Sequence, residues 1–352
     1  METPLIELHR AAGTPIAEID GCLLPESFSS LESEYAAAKE RVALLDTDWH
    51  ATLKLTGRDR VKYLHAITSN NIQALGIGQG TLALLLNPQG HILSELEIYV
   101  LAESVLVRTH VSARERTVAT LKKFIIGSDV KVEDATDTTG SLAIEGPLAG
   151  PTVELLCGVK LDDMAAMAIR DVEIEGVVCQ LIRRSHFGLP GAELIAGRVD
   201  LAPLWQNLLA SVRAEGGQPI GMNALHTLHL EAGVPWYPAD FNEAMIPHEA
   251  AVETTHISFN KGCYTGQEIV ERVRSRGHVN RKRVSLKFST IEPPSAGTKL
   301  RASGESAEIG FVTSAARSPN AQPAIGMGYV RREQFAPGSV VDFDGGTATV
   351  TG

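Results

Sequence analysis

KGCYTGQEIVERVRSRGHVNR, residues 261–281, is the stretch on which the reading of this chain turns. A cysteine stands among glycines, a lysine and a tyrosine, and arginines follow at alternate positions 272, 274 and 276. Read as a strand, that alternation puts the three guanidinium groups on one face, where they suit a carboxylate or phosphate partner. Lys261 and the arginines would favour the thiolate of Cys263, and Gly262 and Gly266 let backbone approach a ligand closely. From 261 to 283 there are seven Lys/Arg against two Glu, a net +5 in a chain whose total is −10. Such a strip on an acidic protein is either a solvated, salt-bridged face or a local anion-binding surface.

Downstream the texture changes. VSLKF, KLRAS, AEIGFVTSA, AIGMGYV, SVVDF and TATVTG are short strands separated by Gly, Pro and Ser, the pattern of a small barrel, and they set a domain boundary near 284. Upstream, TLALLL (81–86) and HILSELEIYV (91–100) flank the turn NPQG and read as a hairpin, with SVLVRTH a third strand. DRVKYLHAI and SARERTVATLKKFI have helical spacing, and SSLE followed by YAAAKERVALL reads as a capped helix. A second unit of similar flavour follows. SLAIEG and AELIAG are strands around a hairpin, and helices are expected over 200–217 and 222–233, each closed by glycine. The expected division is 1–140, 141–283 and 284–352.

No apolar run approaches the roughly 20 residues of a membrane span, and the N-terminus lacks the basic start and apolar block of a signal peptide, so a cytoplasmic protein without membrane contact is expected. Cys22, Cys157, Cys179 and Cys263 form no CxxC pair and no metal-ligand spacing. His226 and His229 are three apart, but Glu231 lies roughly 200° round an ideal helix from His229, so no metal site is expected.

KGCYTGQE, NPQGHILSE, the EGP of SLAIEGP and LEAG, followed by the barrel, resemble the folate-binding YgfZ group within the glycine-cleavage T-protein (aminomethyltransferase) superfamily, from about residue 34 to about 350. The octapeptide is the most specific part. The resemblance implies an α+β fold: a three-part ring of two α+β units and a C-terminal β-barrel around a pocket for tetrahydrofolate or a one-carbon-substituted folate. It also implies an accessory role toward iron–sulfur client enzymes or assembly proteins, among them one that thiomethylates tRNA, with tRNA contact through the 261–283 strip. Cys263 matches the cysteine of the YgfZ signature and is expected to be a functional thiol. Glu193, in GLPGAELI, matches the glutamate that holds the pterin in T proteins, and Lys261, Tyr264 and Gln267 are placed around the same cavity. Ser94 and Glu95 stand where T proteins carry an aspartate pair, and His229 stands where an arginine is usual. The His229 departure weakens the case for a fixed cationic anchor there. Cys263 in KGCYTGQE favours the accessory role, and the absent aspartate pair disfavours the alternative, a tetrahydrofolate-dependent aminomethyltransferase of glycine cleavage. An RNA-binding scaffold is a third reading, resting on the basic strip alone.

Overall fold

The computed structural model describes residues 1–320 and 323–352; the side chain of Arg276 lies outside the description. The chain builds an antiparallel five-stranded sheet, a mixed six-stranded sheet and a closed barrel, with a small N-terminal hairpin of Ile16–Ile19 and Cys22–Pro25. In the first sheet the strands run in the order Gln79–Leu86, Ile92–Val100, Val105–His110, His50–Thr56, Lys131–Asp134. NPQG makes the expected tight turn, with Gly90 at φ +78°. Alternate residues Leu96 and Ile98 face inward, where Leu64 and Leu121 from the helices Arg60–Ile67 and Arg114–Lys123 complete an apolar core.

The second sheet takes the order Ile169–Ile174, Val177–Arg183, Gly191–Gly197, Thr139–Glu145, Ala43–Asp46, Gln218–Pro219. Helices Ala149–Cys157 and Leu201–Ala214 cover one face through Val153, Leu204, Trp205 and Leu208. Leu31–Glu40 and Met222–Glu231 pack on the other through Tyr35, Ala38, Leu225 and Leu228. The strand Ala43–Asp46 crosses the 1–140 division: it leaves the N-terminal segment and pairs with Thr139–Glu145 and Gln218–Pro219. Its sequence, ALLD, reads as the tail of the preceding helix. All four residues are buried in the sheet, and burial on both faces outweighs helix propensity.

Six strands close the C-terminal barrel, beginning with Arg281–Phe288, around Leu286, Phe288, Val312 and Val341. The two sheets meet through Tyr99, Leu106, Ile169, Ile182 and Ile195. Beside that contact a cavity of about 370 Å³ opens, with Arg283 of the first barrel strand in its wall.

The alternating arginines do not form a strand. Gln267–Arg276 is a helix entered through Gly266 at φ +83°. Ile269, Val270 and Val273 recur at helical spacing, and Val270 is buried, so the apolar period decides the element rather than the charge period. Arg272 and Arg274 therefore point about 200° apart around the axis.

Candidate functional site

Strand alternation aims Glu95, Glu97 and Tyr99 away from the helix-covered face, toward the second sheet. Arg108 stands directly opposite Glu97 in the neighbouring strand. Its Nη1 donates to Glu97 Oε2 at 3.1 Å, while Nη2 reaches the other sheet and donates to Glu193 Oε1 at 2.6 Å. One fully buried guanidinium thus ties the two sheets together through a carboxylate on each. Thr47 Oγ1 adds a bond to Glu193 Oε1 at 3.0 Å, and Arg184 Nη2 lies 2.7 Å from Glu97 Oε1. Burial pushes the Glu193 carboxyl up, but Arg108 and the neighbouring imidazoles outweigh it and hold the group well below the usual carboxylate range. Arg108 Nη2 also donates to His50 Nδ1 at 2.9 Å. That bond requires an unprotonated Nδ1, and burial together with the Arg108 charge pushes the His50 pKa far down.

Trp49, Trp236 and Tyr237 supply apolar wall to the cavity. Glu95 carries a side chain one-quarter exposed, against 5 % for Glu97. Its Oε1 accepts from His256 Nε2 at 2.8 Å, and His256 Nδ1 lies 2.7 Å from the Thr255 hydroxyl. His256 Nδ1 also lies 3.2 Å from the Val252 carbonyl, so both ring nitrogens are held. Glu95 is therefore a carboxylate fixed in direction and open on its cavity side. Ser94 points the other way, to Thr117 at 2.7 Å beneath the helix.

Among the residues expected from the sequence, Glu95 lines this cavity, and Glu193 lies immediately behind the lining formed by Arg108 and His186. Glu193 Oε2 and His186 Nε2, 3.6 Å apart, have no hydrogen-bond partner among the described residues. His229 is elsewhere: it stacks on Trp236 with ring centres 5.5 Å apart and lines a second cavity. Burial, with His226 beside it, lowers the His229 pKa to about 4, and Nδ1 donates to the Val234 carbonyl at 3.0 Å. It is a neutral ring, not a replacement for a cationic anchor.

The octapeptide is also apart from the cavity. Lys261 is buried, and Nζ donates to the carbonyls of His65, Thr68 and Asn70, closing the C-terminal end of the helix Arg60–Ile67. Burial lowers its pKa to about 8. Tyr264 is buried beneath Lys Nζ, 5.0 Å from the ring centre, in a cluster with Leu84, Leu86 and Tyr329. Gln267 begins the helix and is half-buried outside the cavity lining. Cys263 is exposed and lines none of the described cavities.

The basic strip is likewise divided among partners. Arg274 lies 4.3 Å from the Phe259 ring and 3.5 Å from Glu271, Arg281 pairs with Glu249 at 3.1 Å, and Arg283 is buried against the Ala250 carbonyl. Arg272 is exposed, and the position of the Arg276 side chain is outside the described residues. No group of three His, Cys, Asp or Glu positioned to hold a metal occurs among the described residues. Glu231 faces Tyr35 and Lys39, away from the two histidines of its helix. No described helix is long and apolar enough to cross a membrane.

Arg108, His50, Arg184, His186 and His256 were not anticipated. The available signal was Arg108: an arginine inside the otherwise apolar strand SVLVRTH has to be partnered or solvated.

The GCVT N-terminal domain matches residues 5–261, and the glycine cleavage T-protein C-terminal barrel domain matches residues 281–351. The chain is 28% identical over 344 residues to an aminomethyltransferase of Geobacillus kaustophilus (strain HTA426), covering 97% of this chain and 93% of the relative. It is 26% identical over 343 residues to an aminomethyltransferase of Thermoanaerobacter sp. (strain X514), covering 97% and 92%. The crystal structure of the glycine cleavage system aminomethyltransferase T from Bartonella henselae superposes with a TM-score of 0.91 at 24% identity, covering 100% of this chain and 97% of that one, which establishes the shared fold. These relatives overturn the iron–sulfur accessory function: similarity along nearly the whole chain runs to aminomethyltransferases, whereas the accessory reading rested mainly on one octapeptide.

Proposed function

Because the chain belongs to the glycine cleavage T-protein family, we propose that it is a tetrahydrofolate-dependent aminomethyltransferase whose folate site is the cavity between the two sheets. The observation that carries this reading is the Glu95 carboxylate, held by His256 at 2.8 Å and open to that cavity. Glu95 lies on the strand where T proteins carry their aspartate pair, and the pleat aims it inward while Ser94 turns to the helix.

The residues present fit a folate. The cavity volume, about 370 Å³, lies in the range of small-molecule pockets. Glu193 Oε2 is a buried acceptor without a hydrogen-bond partner among the described residues, beside His186 Nε2, as the amino and ring N–H groups of a pterin require. Trp49 and Trp236 offer flat apolar wall, and Arg184 and Arg283 are the cations that would meet a glutamate tail. When bound, the folate supplies the amine nitrogens that accept the one-carbon unit from a protein-bound aminomethyl group. Glu95 then holds an acceptor where a reacting nitrogen must lose its proton, and His256 keeps that carboxylate oriented. Arg108 takes no part in proton transfer; it fixes Glu97 and Glu193 and so the distance between the walls.

The octapeptide 261–268 supports a place on the YgfZ side of the family, a statement of kinship that assigns no iron–sulfur role. Any tRNA contact through 261–283 would fall to Arg272 and Arg274, the exposed basic side chains described there.

The test pairs calorimetric titration of 5-formyltetrahydrofolate with ammonia release from an aminomethylated carrier protein. Glu95→Gln should retain folate binding and lose on the order of 100-fold in turnover. Absence of folate binding by the wild type would remove the reading altogether. Binding without ammonia release would leave a folate site that performs another reaction.

A further inference from the structure

The LEAG helix directs its histidines away from the folate cavity, and what they line is a second cavity of about 470 Å³. It lies among the helix Met222–Glu231, the turn of the N-terminal hairpin at Asp20, and the barrel side at Thr313–Ala315 and Pro293–Ala296. Trp236 is the shared partition, lining both cavities. A column of rings runs through it: Trp49 on the folate side lies 5.0 Å from Trp236, which stacks on His229 at 5.5 Å, which stacks on His226 at 5.1 Å. The last two pairs are near parallel, at 29° and 24°.

Two of the polar groups here, His229 and Asp20, present acceptors; Asn223, His226 and Ser295 also line the cavity. His229 Nδ1 donates to the Val234 carbonyl, so Nε2 of the neutral ring bears a lone pair. Asp20 presents a carboxylate whose bond from Trp236 Nε1 is long, at 3.3 Å. The neighbouring Asp240 is already saturated by Thr313, Ser314 and the Trp236 amide. No lysine or arginine is among the described residues that line the cavity, whereas Arg108, Arg184 and Arg283 line the folate site. Flat aromatic wall, a carboxylate, an imidazole acceptor and no cation select for a flat donor and against an anion.

We propose that this cavity is a second small-molecule site, which takes a planar heteroaromatic amine, neutral or singly protonated. It is separate from the folate site and does not depend on the aminomethyltransferase reading.

2-Aminobenzimidazole serves as the probe and indole-2-carboxylate as its anionic counterpart, both titrated calorimetrically in the presence and absence of saturating 5-formyltetrahydrofolate. The amine should bind at least about tenfold tighter than the carboxylate, with folate leaving its affinity unchanged. Asp20→Asn removes the charge, and Ala315→Leu fills the cavity from the barrel side; each should weaken the amine by about tenfold or more. Thermal unfolding of both variants shows that they are folded, and Ala315→Leu carries the test alone if Asp20→Asn is not. Equal binding of the two probes, indifference to both substitutions, exclusion by folate, or no binding at millimolar amine would each overturn the proposal.

Discussion

The wall of the cavity between the two sheets and the loop 261–268 are both rich in polar side chains, and they use them in opposite ways. In the wall, charged groups pair with one another across two sheets, and Arg108 is the common partner of carboxylates on each. In the loop, polar and glycine residues serve the backbone. Lys261 closes a helix, and Gly266 lies against the hairpin turn so closely that a Cβ there would sit 2.7 Å from the Asn87 carbonyl. A Cβ on Gly90 would likewise meet Ile269 at 2.9 Å. The conspicuous motifs NPQG and KGCYTGQE are thus two halves of one packing contact. The difference teaches that a dense motif can be a joint rather than a reaction centre.

The contrast is most exposed to Arg108→Met. It leaves two buried carboxylates without their common cation and should cost about 3–5 kcal/mol in urea unfolding, with folate binding lost. A loss under about 1 kcal/mol would mean that the network does not join the sheets.

Acid should act on the same wall. Burial holds His110, in the cavity lining, at about 4. An unfolded histidine takes up its proton near 6.5, so the stability is fully present above that pH and is lost as pH falls toward about 4. The loss should be on the order of 3 kcal/mol, and His110→Gln should reduce the slope of stability against pH over that window. The loop 261–268 contains no histidine and adds nothing to it.

On the loop side the effects should be smaller and independent of folate. Gly266→Ala combines a left-handed backbone with a backbone clash and should cost about 1–3 kcal/mol. Lys261→Met leaves carbonyls at the end of the helix Arg60–Ile67 without their donor and should cost about 1–2 kcal/mol, measured by the same unfolding curves. Cys263→Ser should be smallest, within about 0.5 kcal/mol, with ammonia release unchanged, because the side chain is exposed and lines no described cavity. A large loss of turnover in that variant would return the loop to the reaction centre and break the comparison.

Much of the architecture was legible locally. The NPQG hairpin follows from turn chemistry and strand period, and the barrel from short strands at regular spacing. The helix over Met222–Glu231 follows from apolar spacing closed by glycine. Where local reading failed, two local signals competed. ALLD at 43–46 continues a helical composition yet is buried in a sheet, and the arginines at 272, 274 and 276 alternate like a strand inside a segment whose apolar residues are helical. In both cases burial of the apolar side chains prevailed.

By itself, then, the sequence determined the T-protein superfamily, the α+β units with their barrel, and two acidic residues, Glu95 and Glu193, at or just behind the cavity wall. Only the tertiary structure decided what partners them. Arg108 lies 85 residues from Glu193 and His256 lies 161 from Glu95, and nothing in their neighbours along the chain encodes either pairing. Turn and helix preferences are properties of adjacent residues. Whether an arginine in a strand faces water or a carboxylate depends on which sheet is laid against it, and that is settled only when the two sheets close.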